Sequence, residues 1–248
     1  LAATRPMSAH ETFHYDTLAE LLAEAERLGV SLPTAGDPSC LLAPLRIGPV
    51  ESPNRLVVQP MEGQDGTERG EPDDLTFRRY ERWGAGGAGV IWVEATAVRP
   101  EARANPRQLW LHEGSTAALA ELASRARAAA AGAGWPRPVL ILQLTHAGRY
   151  SKPAWRPEPI ISHHCGVLDA AHGVPAEIEL IDDASLDALR EDFVAAAVLA
   201  AEAGYDGVDI KACHRYLVNE LLAGHTHTES RYGGDYVGKL FHDHCRFE

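Results

Sequence analysis

The sequence predicts an α/β fold built on a parallel sheet, and three observations predict it. Short apolar, β-rich runs recur around residues 55–59, 90–93, 139–143 and 207–210. Stretches with helical spacing separate them, at 73–83, 116–131 and from about 185 to the stop at Gly204. Strands of this length joined through helices pair in parallel with right-handed crossovers. The polar and conformationally special residues, finally, collect where the runs end, which is where parallel α/β folds build their sites. Periodicity alone leaves both a doubly wound sheet and a barrel open.

Each element has a local reason. Residues 17–28 read as an amphipathic helix, with Thr17 and Glu20 at capping-box spacing, Leu18, Leu21, Leu22, Ala25 and Leu28 on one side, and Gly29 as its stop. A linker rich in Pro, Gly and Ser follows, and Leu45–Gly48 leads into a turn around Pro49–Pro53. Arg55-Leu-Val-Val-Gln59 is the first strand and stops at Pro60. The glycines from Gly84 to Gly89 end the next helix and introduce the strand Val90-Ile-Trp-Val93. They precede a strand instead of opening a helix, so a dinucleotide-binding fingerprint does not apply. Ser115 is placed to cap the Ala-rich helix and Ser185 the long one, whose Leu186, Leu189, Phe193, Ala197 and Ala200 face one way. The segment 147–184, with its prolines and histidines, is too long for an ordinary connection and reads as an excursion over the active-site face.

Composition narrows the function classes. A net charge of −12 disfavours nonspecific binding to nucleic acid or an anionic membrane. No apolar run approaches the roughly 20 residues of a membrane span, and no secretory leader is evident, so a cytoplasmic location is expected. Cys40, Cys165, Cys213 and Cys245 are scattered, which points to reduced thiols. His163, His164, Cys165 and His172 are good zinc ligands at spacings that match no usual site; they read as loop histidines, as do His225, His227, His242 and His244, and no metal is expected. A chain beginning at Leu1 reads as a fragment or a processed product.

At the strand ends stand Gln59-Pro60-Met61-Glu62-Gly63, Glu94-Ala95-Thr96, Gln143-Leu-Thr-His146-Ala-Gly-Arg149 and Lys211-Ala-Cys-His214-Arg-Tyr216. On the residues alone, Gln143 is a buried amide, Lys211 a solvated charge, Arg149 a loop anchor or a ligand contact, and Tyr216 either core or a proton donor. Cys213, between two cationic residues, is a weaker candidate for a reactive thiol.

The runs "NRLVVQPM", "GVIWVEATAV", "QLTHAGR", "AAEAGYDGVDIKACHRYLVNELL" and "RYGG" occur in the order and at the approximate spacing of the old yellow enzyme family of NADH:flavin oxidoreductases, which the chain resembles over about residues 45–234. The resemblance implies a (β/α)8 TIM barrel with FMN at its C-terminal face, of which this chain carries the first four units. Residues 1–44 would then be an N-terminal helical extension, and 45–248 the N-terminal half of the barrel. It implies that Pro60, Met61 and the main chain of Glu62 lie along the flavin ring, that Ala95 touches it by its backbone, and that Gln143 hydrogen-bonds its pyrimidine edge. Lys211 and His214 would grip an electron-withdrawing oxygen of the substrate, and Tyr216 would donate a proton. The implied activity is hydride transfer from NAD(P)H through FMN to an activated, enone-type alkene; a flavin-dependent amine or cyclic-substrate dehydrogenase or demethylase, and a non-catalytic half-barrel subunit, are the alternatives.

Two residues depart from the family pattern. Lys211 stands where His is common, and Glu62 where Thr or Cys is common. A carboxylate there would disfavour an anionic reduced flavin if it pointed inward. The tail after Tyr236 departs from the Glu-Asn-Arg pattern that usually follows "YGG". A half-barrel exposes two strand edges. The rest of a longer chain, a second copy or another subunit is therefore expected to complete it, unless the chain is a truncated relative without FMN.

Overall fold

The computed structural model describes residues 13–234. The chain divides into two compact units, Leu1–Ser39 and Cys40–Glu248. In the first, helix α1 (Leu18–Arg27) is capped by the Thr17 hydroxyl, which accepts from Glu20 N at 3.2 Å. The reciprocal half of the expected capping box is displaced by one residue, because the Glu20 carboxylate accepts from Asp16 N. Of the apolar stripe only Ala25 is buried, and Leu18, Leu22 and Leu28 are exposed.

The second unit opens with an antiparallel hairpin, β1 (Leu45–Ile47) and β2 (Val50–Ser52), so the chain reverses at Gly48–Pro49. Then come β3 (Val57–Val58), α2 (Asp74–Ala85), β4 (Val90–Ala97), α3 (Thr116–Gly132), β5 (Val139–Thr145), α4 (Gly166–His172), α5 (Asp183–Glu202), β6 (Gly207–Ile210) and α6 (Leu217–Leu221). The sheet β3-β4-β5-β6 is parallel throughout, in chain order. This is the opening arc of a TIM barrel, four strands with helices on the outer face.

β3 is shorter than the expected 55–59. It pairs on one side only, through Val57 and Val58, and Pro60 cannot continue the ladder. Asn54 fixes its start: the amide donates to Gly87 O and its carbonyl accepts from Gly89 N and Leu56 N, tying the strand to the turn between α2 and β4. The central strands β4 and β5 are buried almost continuously, as strands covered on both faces must be. Ile91, Val93, Leu140 and Leu142 pack with Leu119, Leu122, Leu186, Leu189 and Phe193 of the helix layer. By the two-residue period, Trp92, Ile141 and Gln143 face the barrel interior.

Helix caps differ from two expectations. The long helix is capped by Asp182, whose carboxylate accepts from Ser185 N at 2.7 Å, so Ser185 lies inside the first turn; an acceptor three residues upstream satisfies the free amide as well as a hydroxyl would. Ser115 occupies the N-cap position of α3 without capping it, because its hydroxyl is spent on the Trp110 and His112 carbonyls. Among the described residues no helix is long and apolar enough to cross a membrane. Cys40, Cys165 and Cys213 are free thiols, while Cys245, His242, His244 and the tail after Gly234 lie outside the described residues.

Candidate functional site at the strand ends

The C-terminal ends of the four parallel strands deliver Pro60–Glu62, Glu94–Ala95, Gln143–His146 and Lys211–Tyr216 to one end of the sheet. After β3 the chain turns under the control of Glu94. Its buried carboxylate accepts from Gly63 N at 2.9 Å and pairs with Arg79 at 2.7 Å; Arg79 also binds Asp65 and the Met61 carbonyl. Burial pushes the Glu94 carboxyl up to about 7, against the pull of Arg79 and the Gly63 N–H. The loop carrying Met61 and Glu62 is thus held from below by a network the sequence reading missed. An Arg on the helix following the loop and a Glu ending the next strand were its only signals.

At β4 the ladder shifts register between Val93 and Thr96, which frees the main chain of Glu94 and Ala95 from regular pairing. The Ala95 carbonyl accepts from the buried Gln108 amide at 2.8 Å. Met61 is 64% exposed, an apolar side chain with nothing over it. Gln143 is buried, and its amide donates to Asp209 Oδ2 at 2.6 Å across the β5–β6 pairing. Asp209 was also missed; a carboxylate within an apolar four-residue strand was the available clue.

Lys211 is buried rather than solvated. Its Nζ lies 2.5 Å from Glu62 Oε1 and 4.1 Å from the centroid of the Tyr216 ring. The Tyr216 hydroxyl is 3.4 Å from the same Glu62 oxygen. Burial, followed by the Glu62 charge, raises the phenol well above its ordinary value, so it stays protonated across the physiological range. Glu62 does turn toward the site, and its charge is met by Lys211.

Tyr216 is placed by backbone contacts. Gly148 has φ +61, and a Cβ there would come within 2.7 Å of Leu217 N. With no Cβ, Leu217 N reaches the His146 carbonyl at 3.1 Å and docks the start of α6 on the end of β5. His146 Nδ1 accepts from Gly148 N at 3.0 Å; burial drives that imidazole down to about 3.

Arg149 serves as an anchor. Its side chain is fully buried, and its guanidinium donates to Glu220 at 2.6 Å, to the Asp169 carboxylate and to the His163 carbonyl. These bonds tie the excursion to α6. His164 is held by Asp169 and the Ile178 carbonyl. His214 and Arg215 both adopt left-handed backbone, each with φ 58. His214 is exposed, with its ring centroid 6.4 Å from that of Tyr216. The structure therefore gathers Lys211, Tyr216 and Glu62, with His214 edge-on to the tyrosine ring.

Known proteins resemble this chain in sequence and in fold. The family model of the NADH:flavin oxidoreductase / NADH oxidase family matches residues 40–241. The NADPH dehydrogenase of Listeria welshimeri is 32% identical over 206 residues, covering 79% of this chain and 55% of that protein. Among solved structures, old yellow enzyme from a Pichia species superposes with a TM-score of 0.67 at 19% identity, covering 81% of this chain and 53% of that one. Morphinone reductase in complex with tetrahydroNAD superposes at 0.64 with 23% identity, covering 80% and 56%. At such identities the structural likeness speaks for the fold. The chain spans about half the length of the curated relatives it matches. On the family match and the identity together, the chain belongs to the NADH:flavin oxidoreductase / NADH oxidase family.

Proposed function

We propose that this chain forms the N-terminal half of an FMN-dependent oxidoreductase that takes hydride from NAD(P)H and passes it to a double bond activated by a carbonyl or nitro oxygen. The observation that carries the reading is the buried Lys211–Glu62–Tyr216 cluster at the open end of the sheet, a cation and a protonated phenol side by side.

The residues present fit a flavin ring. Gln143 offers an amide that can donate and accept along the pyrimidine edge, once its donor exchanges Asp209 for the ring. Pro60 and the uncovered Met61 would line one side, with the main chain of Glu62 and Ala95 against the ring. When bound, the flavin supplies the hydride.

The protein's own groups handle the charge and the proton. Hydride added to the β-carbon leaves negative charge on the activating oxygen, which Lys211 and His214 stabilise as cation and hydrogen-bond donor. Tyr216 then delivers its proton to the α-carbon, and its raised pKa keeps that proton in place until it is needed. Glu62 holds Lys211 in reach and compensates its charge while the site is empty of substrate.

Glu62 favours a second reading, hydride removal from an amine, because a carboxylate at the reacting face suits a cationic substrate. Val57 and Val208 on the edge strands and Val194 and Val198 on α5 are exposed, which supports closure of the barrel by further strands and helices of a longer chain or of a second one.

Anaerobic mixing of the full-length protein tests the reading. After reduction by NADPH, 2-cyclohexenone is expected to reoxidise it, and Tyr216→Phe to slow that step by roughly 10²–10⁴-fold. Reduction by an amine without reoxidation by the enone would favour the second reading; no reaction with either would overturn both.

A further inference from the structure

Beside the cluster lies a cleft of about 550 Å³ between the end of β5, the excursion and the turn before α6. That volume is in the range of small-molecule sites. Its wall includes Tyr150, Ser151, Lys152, His172, His214 and Arg215, together with Tyr216.

The charge in this wall is one-sided. The chain has a net charge of −12, yet no carboxylate lines the cleft. Lys152 and Arg215 make no ion pair among the described residues. Nearby acids are engaged elsewhere, Asp169 by Arg149 and His164, Glu158 by Arg156 and Asp209 by the Gln143 amide. Arg149 also reaches the wall, but Glu220 and Asp169 already neutralise it.

Two hydroxyls add a separate observation. Ser151 is 1% exposed, and neither its Oγ nor the buried hydroxyl of Tyr150 has a hydrogen-bond partner among the described residues. Buried polar atoms without partners are uncommon and point to a missing ligand or water. Tyr150 is wedged edge-on against His172 at 4.7 Å between ring centroids, with Tyr216 on another side at 5.9 Å. Its ring is therefore fixed at the cleft. Two unpaired cations with two imidazoles and two unpartnered hydroxyls make a set that suits an oxyanion, and the lining has no carboxylate to neutralise a cation.

We infer that this cleft binds an anionic oxygen group, a phosphate or carboxylate, carried by one of the two reactants that meet at Tyr216. The inference rests on the proposed hydride transfer for its two sources: the phosphate of the nicotinamide nucleotide, or an acid group on the substrate that is reduced. In either case Lys152 and Arg215 position the ligand by its charged end while the reacting carbon lies toward Lys211 and Tyr216.

Calorimetric titration of the full-length protein with inorganic pyrophosphate, and separately with NADP+, tests it. Pyrophosphate is expected to bind and to weaken at least tenfold in the double variant Lys152→Ala/Arg215→Gly, the glycine being chosen because it accepts the left-handed backbone at 215. Ser151→Ala, a change that removes only a hydroxyl, is expected to weaken binding by a smaller factor. If NADP+ weakens in parallel in the double variant, the anion is the reductant's. If NADP+ binding is unchanged while pyrophosphate weakens, the anion belongs to the substrate. Pyrophosphate that fails to bind, or binds both forms equally, overturns the inference. The flavin content of the same samples is read by absorbance, so a colourless protein would refute the proposed function while the titration still answers for the cleft.

Discussion

Replacing Arg149 by Met should cost more stability than any single change at the reacting cluster, and the geometry sets the size. The substitution keeps most of the side-chain volume but removes a guanidinium that is fully buried and bonded to two carboxylates and a carbonyl. Glu220, 3% exposed at its side chain, would be left with a buried charge whose other bond is a long one of 3.3 Å from Ser162 N. Removing one partner of a buried pair costs about 3–5 kcal/mol, and the orphaned His163 carbonyl adds about 1. Asp169 suffers less, because Cys165 N and His164 still serve it. With a urea m-value of about 3 kcal/mol/M, the midpoint should fall by more than 1 M. The double variant Arg149→Met/Glu220→Leu removes both charges and should recover at least half of the loss. Urea denaturation of the full-length protein followed by fluorescence and circular dichroism measures both. A shift under about 0.5 M for the single variant, or a double variant worse than the single, would refute the anchoring role and with it the argument that the excursion is clamped to α6.

Other expectations follow from single residues. His146 has its pKa lowered from 6.5 to about 3 by burial, so its contribution is complete above pH 6.5 and is lost as the pH falls toward 3, up to about 5 kcal/mol in all; His146→Asn, whose side chain can still accept from Gly148 N, should flatten that acid limb in pH-dependent unfolding. Arg215→Gly should leave stability unchanged or raise it by up to about 1 kcal/mol, whereas Arg215→Val should lower it by about 1–2, since a β-branched residue tolerates φ 58 poorly; thermal melts distinguish the two. Gly84→Ala puts a Cβ 2.1 Å from the Ala126 carbonyl where α2 crosses α3, and despite better helix propensity it should cost about 1–3 kcal/mol in the same melts.

The architecture was legible because strand and helix periods alternate cleanly from Val57 onward, and because a parallel sheet must send its chemistry to one end. Lys211, Tyr216, Glu62 and Gln143 could be picked out on that ground, and the first three do meet. What escaped was partnership. Lys211 and Glu62 are 149 residues apart, and nothing local in either segment says that the lysine will be buried against that carboxylate. Arg149 looked equally like an anchor or a ligand contact, because Glu220 and Asp169 lie in elements whose packing only the fold decides. Cap assignment failed at Ser185 for a smaller reason: Asp182 and Ser185 are both good capping residues, and the choice depends on where the excursion ends. Asp209 and Glu94 sit in apolar strands where a charge is costly, and that cost was the overlooked sign of Gln143 and Arg79 beside them.

The measurement that bears most directly on these strand ends as a flavin site is the absorbance spectrum of the full-length native protein, with the released cofactor identified and its ratio to chain determined. A flavin band from FMN near one per chain, diminished in Gln143→Leu with circular dichroism unchanged, is the predicted result. A colourless protein that stays colourless when mixed with FMN would contradict the assignment of Pro60, Met61, Glu62, Ala95 and Gln143 to cofactor binding.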